Sequence, residues 1–219
     1  MNFLAHIFLS GDHPEVKLGN FFGDFVKGNQ LDRFPERVRQ GILLHRKIDS
    51  FTDSHPVFRE SVQLLRPAFG RYAGIMADMY YDHLLAISFQ QYSVKPLQRF
   101  ARNFYFHALL RYPLLPPRIK RFIFHFVTTN RLHKYASYEG LQASLEIMRD
   151  RKSKAIQPEV AVVVLDQYFT ELSSHFTLFF PEMIQFVQNE LIRINVTFEN
   201  HTYDATRNTN TTNSVQIKW

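Results

Sequence analysis

Three short segments near the start of the chain gather the side chains that could do chemistry. In GILLHRKIDSFTDSHP, His45, Asp49 and Asp53 follow one another at helical spacing, on one face of a helix. Imidazole and carboxylate are ligands that hard and borderline divalent cations take. Arg46 points about 100° away from that face, near enough to reach an anionic oxygen at its rim. In AGIMADMYYDHLL, Asp78 and Asp82 stand one turn apart with His83 beside the second, among Met79, Tyr80, Tyr81 and Leu84. Those carboxylates therefore lie against apolar surface. Asp24 sits in GNFFGDFVKG between Phe-rich flanks, where a carboxylate is costly to bury unless it is paired or bound to a cation. His6 interrupts the apolar run NFLAHIFL. Together these residues describe a site for one or two metal ions on a helical scaffold. Each also has a plainer reading. His6 could be a buried histidine with a satisfied hydrogen bond, Asp24 or Asp53 could cap a helix, and the 45–53 face could hold ordinary ion pairs.

The elements that must position these groups read as almost all helix. Val38, Ile42, His45, Asp49 and Asp53 set a helix over about 35–52, and Gly74 to Gln91 form another. Pro96 can open a third at its first turn, with Leu97, Phe100, Ala101, Phe104 and Ala108 as its apolar stripe. Pro113, Pro116 and Pro117 end it and start a fourth over about 117–130. Two long helices follow, over about 158–175 and 181–195. From Asn200 to Asn213 the chain is mostly Asn and Thr, with little to pack, and is expected to be a disordered tail. The expected architecture is a single all-α domain, a helical bundle over 1–199, followed by that tail over 200–219.

Composition narrows the chemistry. The 219 residues are 45% hydrophobic and 21% charged, a globular balance. Cysteine is absent, which removes thiolate nucleophiles, zinc fingers and iron–sulfur clusters and fits a reducing cytoplasm. No serine elbow, Walker loop or dinucleotide fingerprint competes with the Asp/His groups. The start carries no basic region ahead of its apolar run, so no signal peptide is expected, and no apolar run is long enough for a membrane span. The net charge of +6 is uneven. From Leu84 to Tyr138 there is no Asp or Glu but there are nine Lys/Arg, including Lys95, Arg99, Arg102, Arg118, Lys120 and Arg121. The remainder holds 26 − 9 = 17 basic against 20 acidic residues. Such asymmetry points to an anionic partner. A nucleic acid or a membrane surface under the 95–112 helix would also suit it, but no nucleic-acid motif is present and none is expected to bind.

At these residues the sequence resembles the acyl carrier protein phosphodiesterases. The resemblance is carried by NFLAH (2–6), GNFFGDFVKGN (19–29), GILLHRKIDSFTDSHPVFR (41–59) and the D-x-x-x-D-H-x-L pattern (78–85), and continues to FFPEM (179–183). It implies a helical, metal-dependent hydrolase, remotely related to the HD phosphohydrolases, that removes the phosphopantetheine arm from holo acyl carrier protein. Mn2+ or Mg2+ is the implied metal. Carried over residue by residue, it implies Asp24, His45, Asp78, Asp82 and His83 as metal ligands, with His6 and Asp49 as further candidates. Asp24, Arg46, Asp82 and His83 are the expected catalytic groups. The HD name refers to adjacent His-Asp ligands, whereas here His45 precedes Arg46 and the adjacent pair is Asp82-His83, in reverse order. Acyl carrier proteins are acidic, so Lys95, Arg99, Arg102, Arg118, Lys120 and Arg121 are expected to receive the partner. The same motifs leave open a phosphohydrolase acting on a nucleotide or another phosphoester.

Overall fold

The computed structural model describes residues 1–151 and 156–198. Among them every regular element is helical: α1 (Phe3–Phe8), α2 (Pro14–Phe21), α3 (Glu36–Ser54), α4 (Pro56–Phe69), α5 (Ala73–Ile87), α6 (Phe89–Tyr92), α7 (Leu97–Leu110), α8 (Pro117–Thr128), α9 (Arg131–Lys134), α10 (Tyr138–Arg151), α11 (Pro158–Gln167) and α12 (Phe169–Arg193). Short 3-10 turns at Gly23–Phe25 and Gly28–Arg33 link α2 to α3. The expected tail falls outside the described residues.

The closest helix pair is α2 with α3, and two glycines set its spacing. A Cβ on Gly41 would stand 2.2 Å from the Val16 carbonyl oxygen, and one on Gly19 would stand 2.1 Å from that of Val38. Glycine at both positions lets the two backbones cross almost in contact, so the C-terminal turn of α2 lies directly over the middle of α3. Each helix then buries its apolar stripe. Val38, Ile42 and Ile48 of α3 and Val16, Leu18 and Phe21 of α2 are buried. The Phe-rich composition becomes a continuous aromatic core. Phe21 packs on Phe104, Phe122 and Phe126, and Phe8 packs on Phe89, Phe100 and Phe180.

The late helices depart from the expected boundaries. The break falls at Tyr168, and one helix runs through Pro181. Proline inside a helix removes one backbone bond and costs about 3 kcal/mol. Here Phe176, Phe179, Phe180, Met183 and Ile184 are buried on both sides of it, so packing holds the helix together across the defect.

Candidate metal centre

The geometry gathers His6 of α1 with His45 and Asp49 of α3. Asp49 lies one turn after His45, so its Oδ2 is 3.2 Å from His45 Nε2. Its other oxygen, Oδ1, is 3.1 Å from His6 Nε2. The two imidazoles stack with centroids 4.0 Å apart. Both rings are buried, while Asp49 is part-exposed and forms the open side. Asp24 reaches the same place from the 3-10 turn, with Oδ1 3.2 Å from His45 Nε2. Gly23 makes this approach possible, because a Cβ there would stand 2.4 Å from His45 Cγ.

Asn20, which the sequence reading passed over, fixes both rings. Its backbone carbonyl accepts from His45 Nδ1 at 2.8 Å. Its side-chain Nδ2 donates to the His6 carbonyl at 2.9 Å and to Ser10 Oγ at 2.8 Å, so Oδ1 is turned to His6 Nδ1 at 2.8 Å. Each Nδ1 therefore donates to Asn20, and Nε2 is the ring atom aimed at the cluster. A hydrogen bond to one ring nitrogen that sets the other free is the usual support of a metal-binding histidine.

What surrounds the two Nε2 atoms is all acceptor. His6 Nε2 faces Asp49 Oδ1 and the Met1 carbonyl at 3.1 Å, and His45 Nε2 faces two carboxylates. Such a group is satisfied by extra protons or by a cation. Burial, with His45 close by, pushes His6 down to about 4, so it is neutral at physiological pH. Burial alone would raise Asp49, but His6, the N-terminal ammonium and His45 bring it below the ordinary carboxylate range. Two imidazoles and a carboxylate are a donor set for a borderline divalent cation, and Mn2+ accepts such nitrogen more readily than Mg2+, which prefers oxygen. Spacings of 3.1–3.2 Å also match adjacent ligands of an octahedral ion, which at bonds of about 2.1 Å stand about 3.0 Å apart.

The α5 residues of the expected ligand set are engaged elsewhere in the fold. Asp82 is fully buried, and its two oxygens accept the backbone N–H groups of Leu4 and Ala5 at 2.7 and 3.1 Å. It anchors the first turn of α1, and so holds His6 in place. Burial raises its carboxyl to about 7 against the pull of those amides. His83 Nδ1 donates to the Tyr135 carbonyl at 2.7 Å, and its ring stacks on Tyr138. Neither residue joins the His6–His45–Asp49 group. Asp78 accepts from the Met1 ammonium at 2.7 Å, and that ammonium stands 3.9 Å from Asp49 Oδ1. Asp53 is exposed at the end of α3. Arg46 is exposed and donates to the Val26 carbonyl at 3.1 Å, beside the turn that bears Asp24.

The basic stretch divides. Arg131 is buried and donates to Ser144, and Arg111 pairs with Glu15 on α2, so both serve the fold. Arg99 and Arg102 are exposed on α7, and Lys95 precedes that helix. On α8, Arg118 and Arg121 are exposed, while Lys120 lies over Tyr112.

With this geometry in view, the comparisons with known proteins are consistent with one family. The model of the acyl carrier protein phosphodiesterase family matches residues 1–183. The chain is similar to an acyl carrier protein phosphodiesterase of Enterobacter sp., at 31% identity over 87% of this chain and 99% of the relative. It is likewise similar to one of Klebsiella pneumoniae, at 30% identity over the same shares, and to one of Yersinia pestis, at 28% over 88% and 100%. No solved structure matches it.

Proposed function

The chain belongs to the acyl carrier protein phosphodiesterase family, and on that premise we propose that it hydrolyses the phosphodiester joining 4'-phosphopantetheine to holo acyl carrier protein, leaving the apo carrier. The observation that carries the chemistry is the convergence of His6 Nε2 and His45 Nε2 on the Asp49 carboxylate. His6, His45 and Asp49 would hold a divalent cation, with Asp24 as a fourth group at the open side. A bound Mn2+ or Mg2+ supplies neutralisation of the phosphoryl oxygens and lowers the pKa of a water toward ~7.

The chain's own residues do the rest. Asp24 is exposed next to His45, where it can take the proton of the attacking water. Arg46, tied to the Val26 carbonyl, lies beside the same turn and can hold a nonbridging oxygen of the diester. Asn20 accepts from Nδ1 of both imidazoles, which turns each Nε2 to the cluster. The water oxygen bonds to phosphorus, the bond from phosphorus to the carrier's serine oxygen breaks, and that oxygen takes a proton from solvent water while Asp24 returns the one it accepted. Asp82 and Asp78 position α1 and the chain start rather than touch the diester. The cysteine-free composition fits the reducing cytoplasm as the place of reaction.

The test is direct. Pure protein is incubated with holo acyl carrier protein and manganese, and the mass of the carrier is measured. Loss of the phosphopantetheine mass supports the proposal. An unchanged carrier, with a nucleotide or another phosphoester hydrolysed instead, overturns the substrate.

A further inference from the structure

We infer that the exposed face of α8, formed by Arg118, Arg121 and Phe124, is the surface on which the acidic carrier protein sits, and that the basic cluster of α7 is not. The inference rests on the substrate proposed above. In that substrate the phosphorus is bonded to a serine oxygen of the carrier itself. When phosphorus reaches the cluster, the carrier's surface must lie within a side-chain length of the rim. Residues that flank the rim therefore meet the carrier, and distant ones do not.

Aromatic contacts show which basic residues flank it. The Arg118 guanidinium lies over the Phe25 ring, 5.3 Å from its centroid. Phe25 is the neighbour of Asp24, and it packs on Phe122 of α8 at 4.8 Å. Phe122 and Phe126 also pack on Phe3, in the first turn of α1 and so at the Met1 end. Arg121 and Phe124 continue the outer face of α8 at three-residue spacing, while Ile119, Phe122, Ile123 and Phe126 fill its inner face. Phe124 is 58% exposed on that face, as Phe106 is at 59% on α7, so an exposed ring does not separate the two faces. Among the described residues neither arginine has a carboxylate partner.

The α7 cluster is placed otherwise. Phe100, next to Arg99, packs on Phe8 and Phe89. Phe8 is two residues beyond His6, about 200° around the helix, so it points away from the cluster. Arg99 thus adjoins the residue of α7 that backs onto the side of α1 turned away from His6. Charge alone suits both faces to an acidic protein, but only α8 borders Asp24. Its paired arginines and single exposed Phe fit a partner with carboxylates beside a small apolar patch.

Binding of fluorescently labelled holo acyl carrier protein to the full chain, at low and high salt, tests this. Each variant is first checked for wild-type helix content and melting temperature. Arg118→Glu with Arg121→Glu should weaken binding roughly tenfold or more and flatten its salt dependence. Phe124→Ser should weaken it about fivefold with the salt dependence kept. Arg99→Glu with Arg102→Glu should stay within about twofold of wild type once salt is physiological. The inference is overturned if the α8 reversal binds as wild type, if the α7 reversal is the one that loses the carrier, or if RNA rather than the carrier binds α8. A carrier that loses its prosthetic group normally in the α8 reversal leaves the proposed activity standing and removes the docking face. A carrier that binds through α8 but keeps its prosthetic group does the opposite.

Discussion

Replacing Asn20 with Ala isolates the residue that turns two ordinary histidines into a metal-ready pair. The change removes the acceptor of His6 Nδ1 and the donor to the His6 carbonyl and Ser10 Oγ. The His6 carbonyl keeps the Ser10 hydroxyl at 2.6 Å, so the principal loss is a buried imidazole N–H left without a partner. Such a group costs about 1–3 kcal/mol, and with the small void the variant should lose ~2–4 kcal/mol of stability. The larger effect is on the ring. Without Asn20 Oδ1, the His6 proton gains by moving to Nε2, where the Met1 carbonyl and Asp49 can accept it. The lone pair then no longer faces the cluster. Loss of a supporting bond of this kind typically weakens metal affinity 10–100-fold. Calorimetric titration of chelator-treated protein with manganese reads the affinity, and urea unfolding of the same sample reads the stability. A variant destabilised as expected but binding manganese within threefold of wild type would refute the reasoning, because His6 would then not be a ligand.

Three further outcomes follow from the same geometry. Gly23→Ala forces a methyl against His45 Cγ at 2.4 Å, and the ring, held by the Asn20 carbonyl, cannot yield without moving Asp24; turnover should fall about 100-fold while helix content stays, and wild-type kcat would show the turn to be compliant. His6 is pushed down to about 4 when folded, against about 6.5 unfolded, so between those values the unfolded chain takes up a proton that the folded chain refuses. Stability should fall as pH drops through that window, by on the order of 3 kcal/mol in total. In metal-free urea unfolding, His6→Gln should lose less stability than wild type on acidification from pH 6.5 to 4.5; parallel profiles would count against a neutral buried His6. Asp82→Ala strands the N–H groups of Leu4 and Ala5, so it should cost ~2–5 kcal/mol and lower metal affinity only through displacement of α1. A variant of wild-type stability that binds no manganese would make Asp82 a ligand after all.

How much of this was legible in the sequence depends on what kind of signal each residue carries. The all-helical reading rests on apolar periodicity, which placed α3, α5, α7 and α8 but delimited none of α1, α2, α4 and α10. The break at Tyr168 was missed because Pro181 is the stronger punctuation in the sequence, while the packing that overrides it is tertiary. His45 and Asp49 were legible because helical spacing puts them on one face. Asp78, Asp82 and His83 carry the same spacing signal, yet Asp82 serves the first turn of α1 and His83 serves the Tyr135 carbonyl, contacts between segments distant in the chain. Asn20 was invisible for a related reason. A lone Asn in an apolar helix reads as a cap or a turn, and its role appears only when Gly19 and Gly41 bring α2 onto α3. The acid-free stretch was plain from counting, but its division into two faces depends on how Phe25 and Phe100 pack.

The central claim, that a cation held by His6, His45 and Asp49 cleaves the diester, is tested by restoring metal to metal-free protein while following the mass of holo acyl carrier protein. Wild type should be inactive in chelator, should regain turnover as manganese is added, and should release the phosphopantetheine mass; Asp49→Asn should bind the carrier but stay inactive at the same manganese concentration. Full turnover in excess chelator, or Asp49→Asn turning over like wild type, would contradict the account.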